Sequence, residues 1–220
     1  MRILIFGGTG PAGLLLIRHA LDGGHSVVVF ARSPEKLPQD ISANPSVTVV
    51  EGQLTDAEAI SQAMAGVHAV LSALGPPPRQ GITYPGNTPL AHAYGLIIDA
   101  MKKHDVKRVI LLGTASIHDE HDKFSVQFKA LVAGVAIFAH NAYKDVVAIG
   151  ELFKAQADDV LWTIARVPIL TSDEAVDYVA GYIGDGKVRT VLSRAAFAAF
   201  VLRELESNEW CRKAPLISSP

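Results

Sequence analysis

The sequence predicts an α/β fold with a doubly wound parallel sheet in a single domain. Three observations point there: short, continuously apolar runs recur along the chain, segments of helical spacing separate them, and a glycine-spaced turn joins the first run to the first helical segment. The runs fall at 3–6, 26–31, 47–50, 69–73, 108–113 and 161–167. Each is apolar at successive positions, as a strand covered on both faces must be. Helical spacing occupies 12–21, 56–65, 89–104 and about 141–157. Strand and helix alternate, and right-handed crossovers then leave only doubly wound topologies. Further on, 187–210 reads as a strand, a Ser193 cap and an amphipathic helix, and 215–218 as an edge strand.

The turn "IFGGTGPAG" carries Gly7, Gly10 and Gly13 in a G-x-x-G-x-x-G pattern, directly after a strand and opening a helix. Without a Cβ the first glycine permits the tight turn, the second lets a diphosphate approach the backbone, and the third lets helix and strand pack closely. Main-chain N–H groups and the positive end of the helix then face an anion. Pro11 suits the first helical position, where its missing donor would be unpaired anyway. This is the pattern of a Rossmann-type dinucleotide site. The second strand continues as "FARSPEKL", and where selection of NAD would place an acidic residue for the ribose hydroxyls, Arg32 and Ser33 stand instead. Arg32 can hold a 2′-phosphate in a bidentate fork, with Ser33 adding a hydrogen bond and Lys36 a charge. The expected cofactor is NADP(H). After the third strand, in "VEGQLTD", Gln53 and Leu54 are placed to meet the adenine, and Asp56 to cap the next helix.

Composition excludes other classes. A formal charge of -2 and a pI near 6.4 give no electrostatic reason to expect a nucleic-acid partner. One cysteine, Cys211, makes neither an intramolecular disulfide nor a multi-cysteine metal site, which fits a reducing, cytoplasmic compartment. The first apolar run is broken at once by Gly7 and Gly8, unlike a secretory signal. The longest later run, "ALVAGVAIFA" at 130–139, is well short of the roughly 20 residues a bilayer span needs. It reads as a buried or pocket-lining helix, and no membrane partner is expected. "HDEHD" at 118–122 lacks the i,i+4 spacing of helical zinc ligands, so no metal is expected.

Two insertions interrupt the rhythm. The stretch at about 75–89 carries five of the twelve prolines and follows the fourth strand, so it should form a stiff loop at a strand's carboxyl end, where ligands bind in open α/β sheets. Arg79 and Tyr84 on it are candidates to close over a substrate. The second, 116–140, passes from a polar beginning to the apolar helix and is placed to cap a pocket or form a subunit contact.

Together, "IFGGTGPAG", "ARSPEKLP", "VVEGQLTDAEAI", "GVHAVLSALG", "VKRVILLGTASI" and "DDVLWTIARVPIL" resemble the atypical short-chain dehydrogenases/reductases. The resemblance is specifically to the NAD(P)H-binding group that includes flavin reductase/biliverdin reductase B and the NmrA-like proteins. It implies that Gly7, Thr9, Gly10, Pro11 and Ala12 touch the diphosphate, and that Arg32 and Ser33 hold the 2′-phosphate. Gln53 and Leu54 would line the adenine, with Ala73, Leu74 and Gly75 beneath the ribose. Thr114, Ala115 and Ser116 would lie beside the nicotinamide, and Val167, Pro168 and Ile169 near its carboxamide. Gln53 departs from the aspartate usual in the group.

The chemistry departs further. Conventional members pair a tyrosine with a lysine four residues on, where both share one helix face and the ammonium lowers the phenol's pKa. None of the five tyrosines here has that partner, and Tyr143 and Lys144 are adjacent, so they point about 100° apart. Ser116, Tyr143 and His140 remain as candidates near the nicotinamide. The expectation is an NADPH-dependent reductase of a small or medium, flat and hydrophobic organic substrate, acting as a monomer or homodimer. The alternatives are a redox sensor that binds NADP(H) without turnover, and a non-redox isomerase, cyclase or dehydratase on the same scaffold.

Overall fold

The computed structural model describes residues 1–220, the side chain of Pro78 excepted. Its elements run β1 (Arg2–Phe6), α1 (Pro11–Asp22), β2 (Ser26–Ala31), α2 (Gln39–Ser42), β3 (Val47–Glu51), α3 (Ala57–Ala63), β4 (Ala69–Ser72), α4 (Pro89–Lys103) and β5 (Arg108–Thr114). They continue as α5 (Val126–Phe138), α6 (His140–Gln156), β6 (Leu161–Val167), β7 (Ile169–Thr171), β8 (Val179–Gly181), β9 (Val191–Ser193), α7 (Arg194–Ser207) and β10 (Leu216–Ser218).

Eight strands form one sheet in the order β3-β2-β1-β4-β5-β6-β10-β8. All neighbours are parallel except β8, which runs antiparallel to β10. The order reverses between β1 and β4, which opens a crevice at the carboxyl ends of the strands. Alternate residues of each strand feed opposite cores. Leu4, Phe6, Val109 and Leu111 pack with Ile60, Ile97 and Phe153 of α3, α4 and α6. Ile3, Ile5, Val27 and Ile110 pack on the other face with Leu16, Ile17, Phe197 and Val201 of α1 and α7. This two-sided burial is why the runs are continuously apolar, and each large side chain so buried contributes about 1.5–3 kcal/mol.

Two expectations need correction at the carboxyl half. The 215–218 strand is not at the edge, because β8 covers β10 from outside. The strand before the Ser193 cap is only Val191–Ser193, and it pairs with β7 in a separate two-stranded ribbon. Ser193 does cap α7, accepting from Ala196 N. Of the two readings of 130–139, buried or pocket-lining, the structure gives the second: Val132, Ala133 and Ala136 line a cavity, Phe128 is the one buried residue of α5, and Ile137 and Phe138 are 72% and 73% exposed. α5 meets α6 at a sharp break, and only one side of it faces the molecule. Among the described residues, no single helix is long and apolar enough to cross a membrane.

Candidate functional site

The glycine turn leaves β1 with Gly7 at φ +74°, a left-handed conformation that L side chains rarely adopt. A Cβ there would also stand 2.9 Å from the Ala73 carbonyl carbon and 3.0 Å from Leu74 N, so the chain after β4 runs hard against it. Gly10 N donates to Gly7 O at 3.1 Å and Gly10 O accepts from Leu14 N at 2.9 Å, which hands the turn over to α1. Gly10 caps α1 without any side-chain hydrogen bond, and the first turn holds no acidic residue. The positive end of a twelve-residue helix is therefore left for an anion. Gly13, counted with the cofactor turn because the third glycine lets helix and strand pack closely, is buried, and a Cβ on it would lie 2.1 Å from Gly7 O. It holds the helix against the turn.

Beside the turn lies a cavity of about 360 Å³. Gly7, Thr9, Arg32, Ser33, Lys36, Gln53, Leu54, Leu74 and Gly75 line it, with Phe30, Gly52 and the loop residues Pro77, Gln80, Tyr84 and Pro85. Two cations and no carboxylate face it. The donors and the charge suit a dinucleotide: main-chain amides for the diphosphate, the Arg32 and Lys36 cations at the far side, and Leu54 for a ring. Asp56 caps α3 by accepting from Ala59 N at 3.0 Å.

The proline-rich loop closes this cavity and is held in place from α6. Asp145, 0% exposed, accepts from the Tyr84 hydroxyl at 2.7 Å and from Leu90 N and Ala91 N, both at 2.9 Å. The two amides belong to the first turn of α4, whose own cap, Thr88, sits at φ +47° and makes no side-chain cap bond. A carboxylate from another helix thus satisfies that positive helix end. Asn141 Nδ2 adds a bond to Tyr84 O at 2.9 Å. The expectation that Tyr84 closes over substrate is corrected: its ring walls the cofactor-side cavity and its hydroxyl is committed to Asp145. Burial, and then Asp145, push that hydroxyl's pKa upward, which keeps it a neutral donor. Arg79 is exposed and lines neither this cavity nor the next.

Two strands further along the sheet, β5 ends at Thr114 and the turn after it carries Ala115 and Ser116. At about 4.8 Å per strand, this point lies about 10 Å from the glycine turn along the crevice. Thr114 Oγ1 accepts from Ser116 N at 3.2 Å and shapes the turn. A second cavity of about 580 Å³ opens here, with Ser116 and Tyr143 on its wall and Phe128, Val132, Ala136 and Ile183 giving it an apolar lining. His140, expected beside them, is exposed at the start of α6 and outside that lining. Val167 is 3% exposed with its side chain in the core shared with α1 and α7, so it offers a ligand only main chain; Pro168 follows, half-buried. Pro11 is exposed, and Ala12 and Ala73 pack into the same core.

The segment 118–122 is a structural hub. Arg166, 0% exposed, donates to Asp122 through two bonds of 2.6 and 2.8 Å and to Ile117 O at 2.8 Å. Asp122 also accepts from Asp119 N and Ile183 N, each at 3.0 Å. Burial alone would raise the Asp122 carboxyl, but Arg166 and these amides outweigh it and hold the pKa below its ordinary value. Asp119 accepts from His121 and from Ala214 N. Both aspartates are thus taken up by protein donors.

Sequence reasoning missed Asp145 and the lysines of the second cavity. The signal for Asp145 was present, since it falls on the face carrying Ala142, Val146, Ile149 and Phe153, where an acidic residue has no place without a partner.

A crevice at the strand reversal, an uncapped glycine turn and a cationic ribose end define a nicotinamide-dinucleotide-binding protein of Rossmann type. The NAD(P)H-binding family model matches residues 7–208, and the chain belongs to that family. It is 38% identical over 69 residues to a 3-beta-hydroxysteroid dehydrogenase of Mycolicibacterium neoaurum, a match covering 31% of this chain and 18% of that protein. It is 37% identical over 73 residues to the photosystem II assembly factor Ycf39 of Synechocystis, covering 33% and 22%. These matches span about a fifth of each relative's length. A short-chain dehydrogenase/reductase of Veillonella parvula solved in complex with NADP superposes with a TM-score of 0.76 at 18% identity, covering 100% of this chain and 94% of that one.

Proposed function

We propose that this chain is an NADPH-dependent reductase of a small or medium hydrophobic organic substrate. The observation that carries the reading is the pair of cavities along one crevice: a cationic one at the glycine turn, free of carboxylates, and an apolar one holding Ser116 and Tyr143. The amides opening α1 bind the diphosphate, and Arg32 with Ser33 selects the 2′-phosphate over a free ribose hydroxyl. A bound reduced nicotinamide supplies hydride. Ser116 hydrogen-bonds the substrate oxygen that gains electron density, and Phe128, Val132 and Ile183 exclude water and hold the substrate flat. The proton that completes reduction comes from Tyr143 or from solvent.

Oxidation of NADPH at 340 nm with a panel of quinones, flavins and enones tests this. Steady turnover with at least one class supports the reading, and tight cofactor binding without turnover contradicts it. That second outcome is a redox sensor, a reading favoured by one observation: Lys144, the sole lysine beside Tyr143, is exposed and outside the cavity.

A further inference from the structure

The Ser116 cavity carries an uncompensated positive charge at one end. Lys123 and Lys129 line it, together with His118 and one carboxylate, Asp122. Asp122 is already neutralised by the two bonds from Arg166. Among the described residues neither Lys123 nor Lys129 forms an ion pair. The same end holds the start of α5, a thirteen-residue helix with no acidic residue in its first turn. Its N-cap, Ser125, lines the cavity and makes no side-chain cap bond. The positive end of α5 and both lysines therefore line the same cavity. An aromatic platform lies alongside: Phe124 is 76% exposed, with the Lys129 ammonium 5.7 Å from its ring centroid.

The rest of the lining is largely apolar, with Ser116 and Tyr143 on it. From Lys129 to Ala136 the lining advances along α5 by about 10 Å at about 1.5 Å per residue, toward the first turn of α6, which carries Tyr143. A molecule filling the cavity thus meets the lysines, the apolar side chains of Phe128 and Val132, and the hydroxyls of Ser116 and Tyr143 on one continuous wall.

We propose that this cavity selects flat aromatic substrates bearing a carboxylate, the anion being held by Lys123, Lys129 and the N-terminal end of α5. The proposal rests on the reductase reading for the word substrate, whereas the binding selectivity stands on the cavity alone.

Calorimetric titration of the whole protein, saturated with NADP+, with 2-naphthoate and its neutral isostere 2-naphthamide reads that selectivity without turnover. The naphthoate should bind about tenfold more tightly, the effect of one to two charge-assisted contacts, and raised salt should weaken it alone. In Lys123→Gln/Lys129→Gln the preference should fall below about twofold, as expected once those charge-assisted contacts are gone, with the circular dichroism spectrum unchanged because both lysines are exposed. Equal affinity of the two ligands, no binding of either, or a preference kept in the double variant would overturn the proposal. Turnover separates the two claims. If 1,2-naphthoquinone oxidises NADPH and its 4-sulfonate shows the same KM in wild type and double variant, the anion site is wrong and the reductase stands. If neither quinone is turned over while the naphthoate preference holds, the reductase reading fails and the site survives.

Discussion

The cavity at the glycine turn is walled by strand ends and main chain, whereas the one at Ser116 is walled by α5, which buries only Phe128. The first is rigid for stated reasons: Gly7 abuts the Ala73 and Leu74 backbone, and Asp145 pins both Tyr84 and α4. The second depends on a few polar anchors, chiefly Arg166 with Asp122 and the bond from Lys123 N to Ile183 O at 2.7 Å. Such an arrangement suits a generic cofactor on one side and a variable substrate on the other, since walls made of side chains can change without disturbing the sheet.

The sharpest way to break this contrast is to remove an anchor of the second cavity. Asp122→Ala leaves Arg166 buried without its partner, and urea unfolding should show a loss of about 3–5 kcal/mol. The same group sets an acid limb. Its folded-state pKa lies below the ordinary 3.8, so the stability it contributes is present above that value and lost as pH falls through the folded-state one. Wild type should therefore lose stability below about pH 4 more steeply than Asp122→Asn.

Gly13→Ala attacks the first cavity alone. The new Cβ meets the Gly7 carbonyl and Gly8 Cα, both backbone, so the turn must shift. NADPH affinity should fall about 100-fold, equivalent to about 2.8 kcal/mol, while 2-naphthoate still binds. Loss of both affinities together would show that the cavities are not independent. Smaller still is Tyr84→Phe, which deletes one hydrogen bond to Asp145. Thermal unfolding should report about 1 kcal/mol, with a several-fold rise in NADPH Kd and no change for 2-naphthoate.

The same contrast explains what the sequence disclosed. Strands such as β1 and β6 were legible because two-sided burial writes an unbroken apolar run, and the glycine turn because its backbone demands Gly7 and Gly13. Arg32 and Ser33 were legible by their place after β2. The three-residue strands β7, β8 and β9 are too short for periodicity, and β10 looked like an edge because its cover, β8, is set by long-range pairing. The run 130–139 left two readings open, buried or pocket-lining, for a physical reason: an apolar helix reads the same whether its faces meet the core, a cavity or solvent.

The central claim is that main-chain amides opening α1 and the Arg32 guanidinium together hold NADPH. Fluorescence titration of wild type and Arg32→Asp with NADPH and NADH at near-physiological salt tests it most directly. Wild type should bind NADPH at least about tenfold more tightly than NADH, as one charge-assisted pair allows, and Arg32→Asp should lose that preference while keeping its NADH affinity. Undetectable binding of either nucleotide to wild type, or equal losses for both in the variant, would contradict it.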